Sequence, residues 1–163
     1  MKKPFLGVGL AAMVLAAALP CLADEATRTL WSVVSFGDGD FFHRPSDIEV
    51  DNARSLVYVV DAGSSRVLVF DFEGRFLRAV GRKGQGPGEF ATPTGMALTG
   101  DGGFAVADRD NNRIQLIGPD GTFIRSVAVK ETRVAGLLVI DGRFYTVPAH
   151  GASAYSVTMG SEA

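Results

Sequence analysis

The chain has 163 residues, with 16 Lys plus Arg against 18 Asp plus Glu and a formal net charge of −2. Nucleic-acid binding needs a basic footprint, which a mildly acidic chain lacks, so DNA and RNA are not expected partners. Cys21 is the single cysteine, which excludes an internal disulfide framework and leaves stability to an apolar core.

Residues 1–23 read as a secretory leader. Lys2 and Lys3 give a basic start, Leu6 to Leu19 is almost wholly apolar, and Cys21-Leu22-Ala23 puts small residues ahead of Asp24-Glu25. Cleavage after Ala23 is expected, and the apolar run is short for a membrane span. The expectation is an exported protein, periplasmic or secreted, with no membrane span once the leader is removed. A lipid anchor on Cys21 fits poorly because Pro20 stands directly before it. Without Lys2 and Lys3 the remaining 24–163 carries 14 basic and 18 acidic residues, a net charge of −4.

A lone strand is expected over 28–37, where Thr29–Phe36 reads TLWSVVSF. Four short strands follow: Ser46–Val50, Val57–Val60, Val67–Phe70 and Phe76–Val80. They are rich in β-branched and aromatic residues and are separated by Asp51-Asn52, Gly63-Ser64-Ser65 and Glu73-Gly74. A second set follows at Met96–Leu98, Phe104–Ala107, Ile114–Ile117 and Phe123–Val127. A fainter third set has Gly136–Ile140, Arg143–Val147 and Ala154–Met159. No window has helical periodicity. The predicted fold class is all-β.

These sets are copies of one unit. Pro45 aligns with Pro93 at an offset of 48. Asp61 aligns with Asp108, Arg66 with Arg113, Gly74 with Gly121, Phe76 with Phe123 and Arg78 with Arg125, each at 47. A four-stranded sheet recurring every ~40–50 residues predicts β-propeller blades of antiparallel strands. The units fall at about 45–92, 93–133 and 134–163, a partial propeller of about three blades over 24–163. The stretch 84–123, with its Gly-rich run ending in Phe and Pro, then VAD, NNRIQ and DG, resembles NHL repeats. That resemblance is strong over 42–127 and weak over 28–160. It implies a six-bladed propeller.

Repetition also decides how VADRDNNRIQ (106–115) is read. Asp61 with Arg66, and Asp108 with Arg113, are expected to be structural clamps, each pair tying the turn between the second and third strands bidentately. The run Gly81–Glu89 lacks the Gly-Lys-Ser/Thr ending of a phosphate loop and precedes no helix, so it reads as a connector between blades. Phe41, Phe42 and Phe90 read as plugs between blades, and Trp31 as a buried residue. His43 and His150 have no local partner at metal-ligand spacing. DRDNN lacks the Gly and distal Glu of a calcium loop. No cofactor is therefore implied; bound calcium or zinc would be unsupported by a motif, and no metal ligand or catalytic residue is assigned.

The same repeat resembles the lyase half of the peptide-amidating enzymes. That resemblance implies zinc-binding histidines and a tyrosine on one face, but Thr94 stands where a histidine is expected and Asp61–Ser65 holds no tyrosine. The resemblance to NHL propellers implies instead a non-enzymatic binding or protein-interaction module, using the face of the connectors and second-to-third strand turns. The candidate residues are Arg82, Lys83, Arg109, Asp110, His43, Arg44 and Glu89, and the expected partner is a protein, a peptide or a small acidic ligand. The alternatives are a metal-dependent lyase or hydrolase with His43 as ligand, and an inactive truncated fragment. Three blades cannot surround an axis alone. Either the chain is part of a longer propeller, or two copies associate to complete a ring, with Thr29–Phe36 as the exchanged fourth strand.

Overall fold

The computed structural model describes residues 29, 31–129, 134–148 and 156–158. The expected leader over 1–23, with Cys21, and His150 lie outside the described residues. Chain contacts separate residues 1–30 from Trp31–Ala163, and the architecture below belongs to the second unit.

The first blade is an antiparallel sheet of β3 (Pro45–Asp51), β4 (Leu56–Asp61), β5 (Arg66–Asp71) and β6 (Phe76–Val80), in that order. The second repeats the order with β7 (Pro93–Leu98), β8 (Phe104–Asp108), β9 (Arg113–Ile117) and β10 (Phe123–Ala128). The third shows β11 (Val134–Ile140), β12 (Arg143–Pro148) and β13 (Ser156–Thr158). All eleven of these strands were legible as strands, with ends moved by up to three residues. One turn is helical, the 3-10 segment Arg109–Asn111. Among the described residues, no helix is long and apolar enough to cross a membrane.

The inner strands of the first two blades are apolar on both sides because each of these blades is covered on both faces. In β4 and β5, Tyr58, Val60, Val67 and Val69 point into a core shared with Phe90, Met96, Phe104, Val106 and Ile117 of the second blade. The alternate residues Val57, Val59, Leu68 and Phe70 form the opposite face, covered by Trp31, Val33, Phe36, Phe42 and Phe76. In β8 the same alternation sends Phe104 and Val106 toward the first blade and Ala105 and Ala107 toward the third, against Val134 and Phe144. A period of two within a continuous apolar run is what stacked sheets require. Polar ties register the stack: Met96 N–H donates to Asp47 Oδ2 at 2.8 Å, and Thr94 Oγ1 donates to the Val134 carbonyl at 2.6 Å.

Two expectations are corrected here. Of the strand expected over 28–37, the described residues are mostly irregular: β1 (Ser35–Phe36) pairs with β2 (Asp40–Phe41) in a small hairpin, and 31–34 join no sheet among the described residues. The segment gains its energy from burying Trp31, Val33 and Phe36 on the first blade and needs no ladder to do so. Of the three expected plugs, Phe90 and Phe42 pack into apolar clusters, whereas Phe41 is 57% exposed. Two consecutive side chains of an extended segment cannot both face one core.

Candidate functional site

The turns 62–65 and 109–112 and the connectors 42–44 and 81–92 lie on one face, joined by hydrogen bonds. Ala62 N–H donates to the Arg44 carbonyl at 3.0 Å, Ser65 Oγ to the Ala91 carbonyl at 3.1 Å, and Asn111 Nδ2 to the Gly84 carbonyl at 3.0 Å. All seven candidate residues therefore sit on the same side of the blades.

The repeated Asp and Arg face each other across neighbouring strands, Asp61 opposite Arg66 and Asp108 opposite Arg113. Each pair forms, Arg66 donating through Nε and Nη2 to Asp61 Oδ2 at 3.4 Å and Arg113 through Nε to Asp108 Oδ2 at 3.1 Å, so each arginine reaches one carboxylate oxygen and leaves the other for different donors. Asp108 is fully buried, and its two oxygens do different things. Oδ1 accepts from the N–H groups of Ala91 and Thr92 at 2.8 and 3.2 Å. Oδ2 accepts from Arg113 Nε at 3.1 Å and Asn111 Nδ2 at 2.7 Å. The remaining Arg113 nitrogens donate to the carbonyls of Gln85, Gly86 and Glu89 at 2.8 to 2.9 Å. The pair thus binds the incoming connector to the blade. Asp61 does the same, accepting from His43 N–H and Arg44 N–H at 2.9 Å each. The reason is an accounting of polar groups: a connector crossing a blade edge brings backbone groups with no ladder partner, and they must be satisfied.

Gln115 belongs to this machinery and was missed in the sequence, because a glutamine in a strand looks like a solvent-facing residue. It is fully buried. Its Oε1 accepts from Gly88 N–H at 2.9 Å and its Nε2 donates to the Glu89 carbonyl at 2.6 Å. The only signal was its place, two residues after Arg113, where the period of two points it inward.

The candidate residues divide into committed and uncommitted groups. Arg82 Nε donates to Glu89 Oε1 at 2.9 Å, and Glu89 Oε2 accepts from Gly86 N–H at 3.0 Å. The Gly86 N–H, followed by Arg82, holds the Glu89 carboxyl below the ordinary carboxylate range. Arg109 Nε donates to Asp110 Oδ1 at 2.8 Å, and Thr92 Oγ1 donates to Asp110 Oδ2 at 2.6 Å. Arg82 and Arg109, two of the candidate binding residues, are therefore partly used in shaping the loops. Arg44 and Lys83 are exposed and make no ion pair among the described residues. His43 is exposed, with its Cβ against Gly63. Among the described residues, no three His, Cys, Asp or Glu side chains converge as a metal site would require.

Sheets of four antiparallel strands, stacked face to face and tied at the connectors ahead of the first and second blades by a buried carboxylate, define a β-propeller. A profile of the 6-bladed beta-propeller family matches residues 40–122, just over half of the chain. The chain belongs to that family, and its repeats are of the NHL type. It is 31% identical over 101 residues to peptidyl-glycine alpha-amidating monooxygenase A of Xenopus laevis, covering 58% of this chain and 11% of that protein. It is 42% identical over 65 residues to the E3 ubiquitin-protein ligase TRIM71 of Rattus norvegicus, covering 40% of this chain and 7% of that one. Among solved structures, a protein of Bacteroides fragilis assigned as exported superposes with a TM-score of 0.62 at 18% identity, over 77% of this chain and 37% of that one. The chain thus spans about a tenth of the curated relatives it matches and little more than a third of the solved structure.

Proposed function

We propose that this protein is an exported, non-enzymatic binding module that presents its loop face to a protein, a peptide or a small acidic ligand. One observation carries the reading: Arg44 and Lys83 stand exposed, without an ion pair among the described residues, on connectors that Asp61, Asp108 and Arg113 hold in place. Cations on a fixed frame attract acidic partners and lose little freedom on binding them. Arg82 and His43 extend the same edge, and Asp110 and Glu89 set its limits in charge.

The match to the amidating monooxygenase favours a second reading, a propeller-type metal-dependent lyase. Two positions weigh against it. Thr94 uses its hydroxyl on the Val134 carbonyl where the lyase pattern calls for a histidine, and the turn Ala62–Ser65 supplies no tyrosine.

The test is calorimetric titration of the purified protein with a glutamate-rich peptide and with its glutamine counterpart. The acidic peptide is expected to bind, more weakly as salt rises, and at least tenfold more weakly to the double variant Arg44→Glu, Lys83→Glu. Equal affinity for the two peptides, or an unchanged affinity in the variant, would remove this face from the function. Stoichiometric zinc in protein purified without chelators would favour the lyase. Export is tested by the mass of the protein recovered outside the cytoplasm, which should begin at Asp24.

A further inference from the structure

The turns between the second and third strands of the first two blades share their backbone bonds and differ in charge. In the second blade Asp108 Oδ1 accepts from Ala91 N–H and Thr92 N–H, and Arg109 N–H donates to the Thr92 carbonyl at 3.0 Å. In the first, Asp61 Oδ1 accepts from His43 N–H and Arg44 N–H, and Ala62 N–H donates to the Arg44 carbonyl at 3.0 Å. These bonds make His43 the counterpart of Ala91, Arg44 that of Thr92, Ala62 that of Arg109 and Gly63 that of Asp110.

The second turn carries its own carboxylate. Asp110 accepts from Thr92 Oγ1 at 2.6 Å through Oδ2 and from Arg109 Nε at 2.8 Å through Oδ1. The first turn has cationic groups and lacks that carboxylate. Gly63 stands in the place of Asp110, and Arg44 replaces the neutral Thr92. Among the described residues, neither the Arg44 guanidinium nor the His43 imidazole makes a hydrogen bond or an ion pair. Asp40, whose carboxylate feels the charge of His43, is taken by Arg66.

Gly63 answers to space and not to backbone strain. Its φ lies outside the left-handed region. A Cβ there would stand 2.9 Å from His43 Cβ and 3.0 Å from the His43 carbonyl carbon, so a side chain at 63 would dislodge His43. An exposed imidazole, an exposed guanidinium and a bare turn are thus held together by the two bonds to Asp61.

We propose that the first-blade turn binds a carboxylate supplied by the partner, in the role that Asp110 plays for the second blade. The ligand class is a carboxylic acid, either an Asp or Glu side chain of a peptide or a small free acid. Arg44 donates to it through the guanidinium fork, which matches a carboxylate bidentately, and His43 donates a ring N–H. The backbone of both residues is already fixed, so binding orders little beyond their side chains. This subsite rests on the reading of the loop face as an acid-binding surface and places it on one blade.

The experiment is an amide-resolved NMR titration of the protein with a glutamate-rich peptide, with free glutamate and with inorganic phosphate. Saturable shifts are expected at the Arg44, Ala62 and Gly63 amides and not at Arg109–Asn111. Free glutamate as tight as the peptide supports the subsite with a small acid as its ligand. A peptide tighter by about tenfold or more supports it with an acidic segment. Arg44→Gln should weaken either ligand by about tenfold or more, and Arg75→Gln, at the other end of the first blade, should change nothing. The double variant His43→Ala, Gly63→Asp gives the first turn the arrangement of the second. Its own carboxylate then meets Arg44, and affinity should fall as far as in Arg44→Gln, with urea unfolding checking that the variant folds. Folded variants that all bind like the unaltered protein overturn the subsite. So do shifts at the second-blade turn alone, or phosphate displacing the peptide at a lower concentration than free glutamate. A loss confined to Lys83→Glu overturns the subsite and leaves the loop-face reading standing, whereas an unaltered protein that binds no acid overturns both.

Discussion

Replacing Asp108 by alanine separates a connector anchor from a turn clamp. The substitution removes an acceptor of four hydrogen bonds from a fully buried position. Two of the donors it leaves behind, Ala91 N–H and Thr92 N–H, have no other acceptor among the described residues, and a buried unsatisfied group costs about 1–3 kcal/mol. Removing one member of a buried ion pair costs about 3–5 kcal/mol. These figures overlap, since they count some of the same groups. Arg113 keeps its three carbonyl acceptors and is partly solvated, which favours the lower end. About 4 kcal/mol is the expected loss, a large share of the ~5–15 kcal/mol available to a typical domain. Urea unfolding of the variant and of the unaltered protein measures it. Hydrogen exchange then locates the damage: Ala91 and Thr92 amides should exchange much faster, while Val106 and Gln115 in the paired strands stay protected. If the alanine variant does not fold, Asp108→Asn gives the same exchange test at lower cost. A loss under 1 kcal/mol, or faster exchange confined to 109–112 with the connector unchanged, would refute the anchor.

Arg82→Ala removes an ion pair of a largely exposed arginine, so a change below about 0.5 kcal/mol is expected in the same unfolding assay. Gly81→Ala should cost roughly 2–3 kcal/mol, because Gly81 has φ +90° and a Cβ there would run into the Phe90 ring; Gly100→Ala, with open space around it, is the neutral control. Phe104→Ala empties the shared core beside Tyr58, whose ring lies 5.4 Å away, and should lower the urea-derived stability by about 3–5 kcal/mol. Stability should also fall in acid. The Asp40 carboxyl is held low by Arg66, Glu89 by Gly86 N–H, Asp101 by Thr99 and Asp120 by Thr122. A carboxylate with a depressed folded pKa stabilises fully above the unfolded value, about 4, and loses that contribution as pH drops through the folded one. Melting temperatures that stay flat or rise from pH 5 to pH 2.5 would contradict this.

The fold was legible because a repeat reports on itself. A blade cannot hide its faces alone, so every copy must carry the same alternation and the same turns, and the 47-residue offset exposes both. The charged rim was much less legible. Arg82 and Lys83 are neighbours of the same charge, yet one is bound to Glu89 and the other is not, and that depends on how Gly84–Gly88 folds back. Gln115 and Asp108 have the same difficulty in reverse. Their side chains look solvent-bound in sequence, and only the connector lying over them makes burial affordable. The segment before the first blade misled for a third reason. TLWSVVSF has the composition of a strand, but a ladder needs a second chain edge, and among the described residues none is paired with 31–34.

The two clamps show what a repeat conserves and what it leaves to context. Asp61 and Asp108 perform one task on two connectors of different length and composition. In the second blade, the glycine-rich loop brings three carbonyls onto Arg113. The shorter connector ahead of the first blade has no such loop. Arg66 instead donates to the Phe41 carbonyl at 3.1 Å and pairs with Asp40, and its guanidinium lies over the Phe36 ring at 5.4 Å. An arginine held by three neutral carbonyls and one by a second carboxylate satisfy the same requirement, that a partly buried cation have its donors filled. Asp40 has no counterpart 47 or 48 residues on, where Pro87 and Gly88 stand. The recurring Asp and Arg are therefore the constant part of the joint, and the connector supplies whatever acceptor its own length allows. That division explains why the face can vary in charge from blade to blade while the blades beneath it do not change.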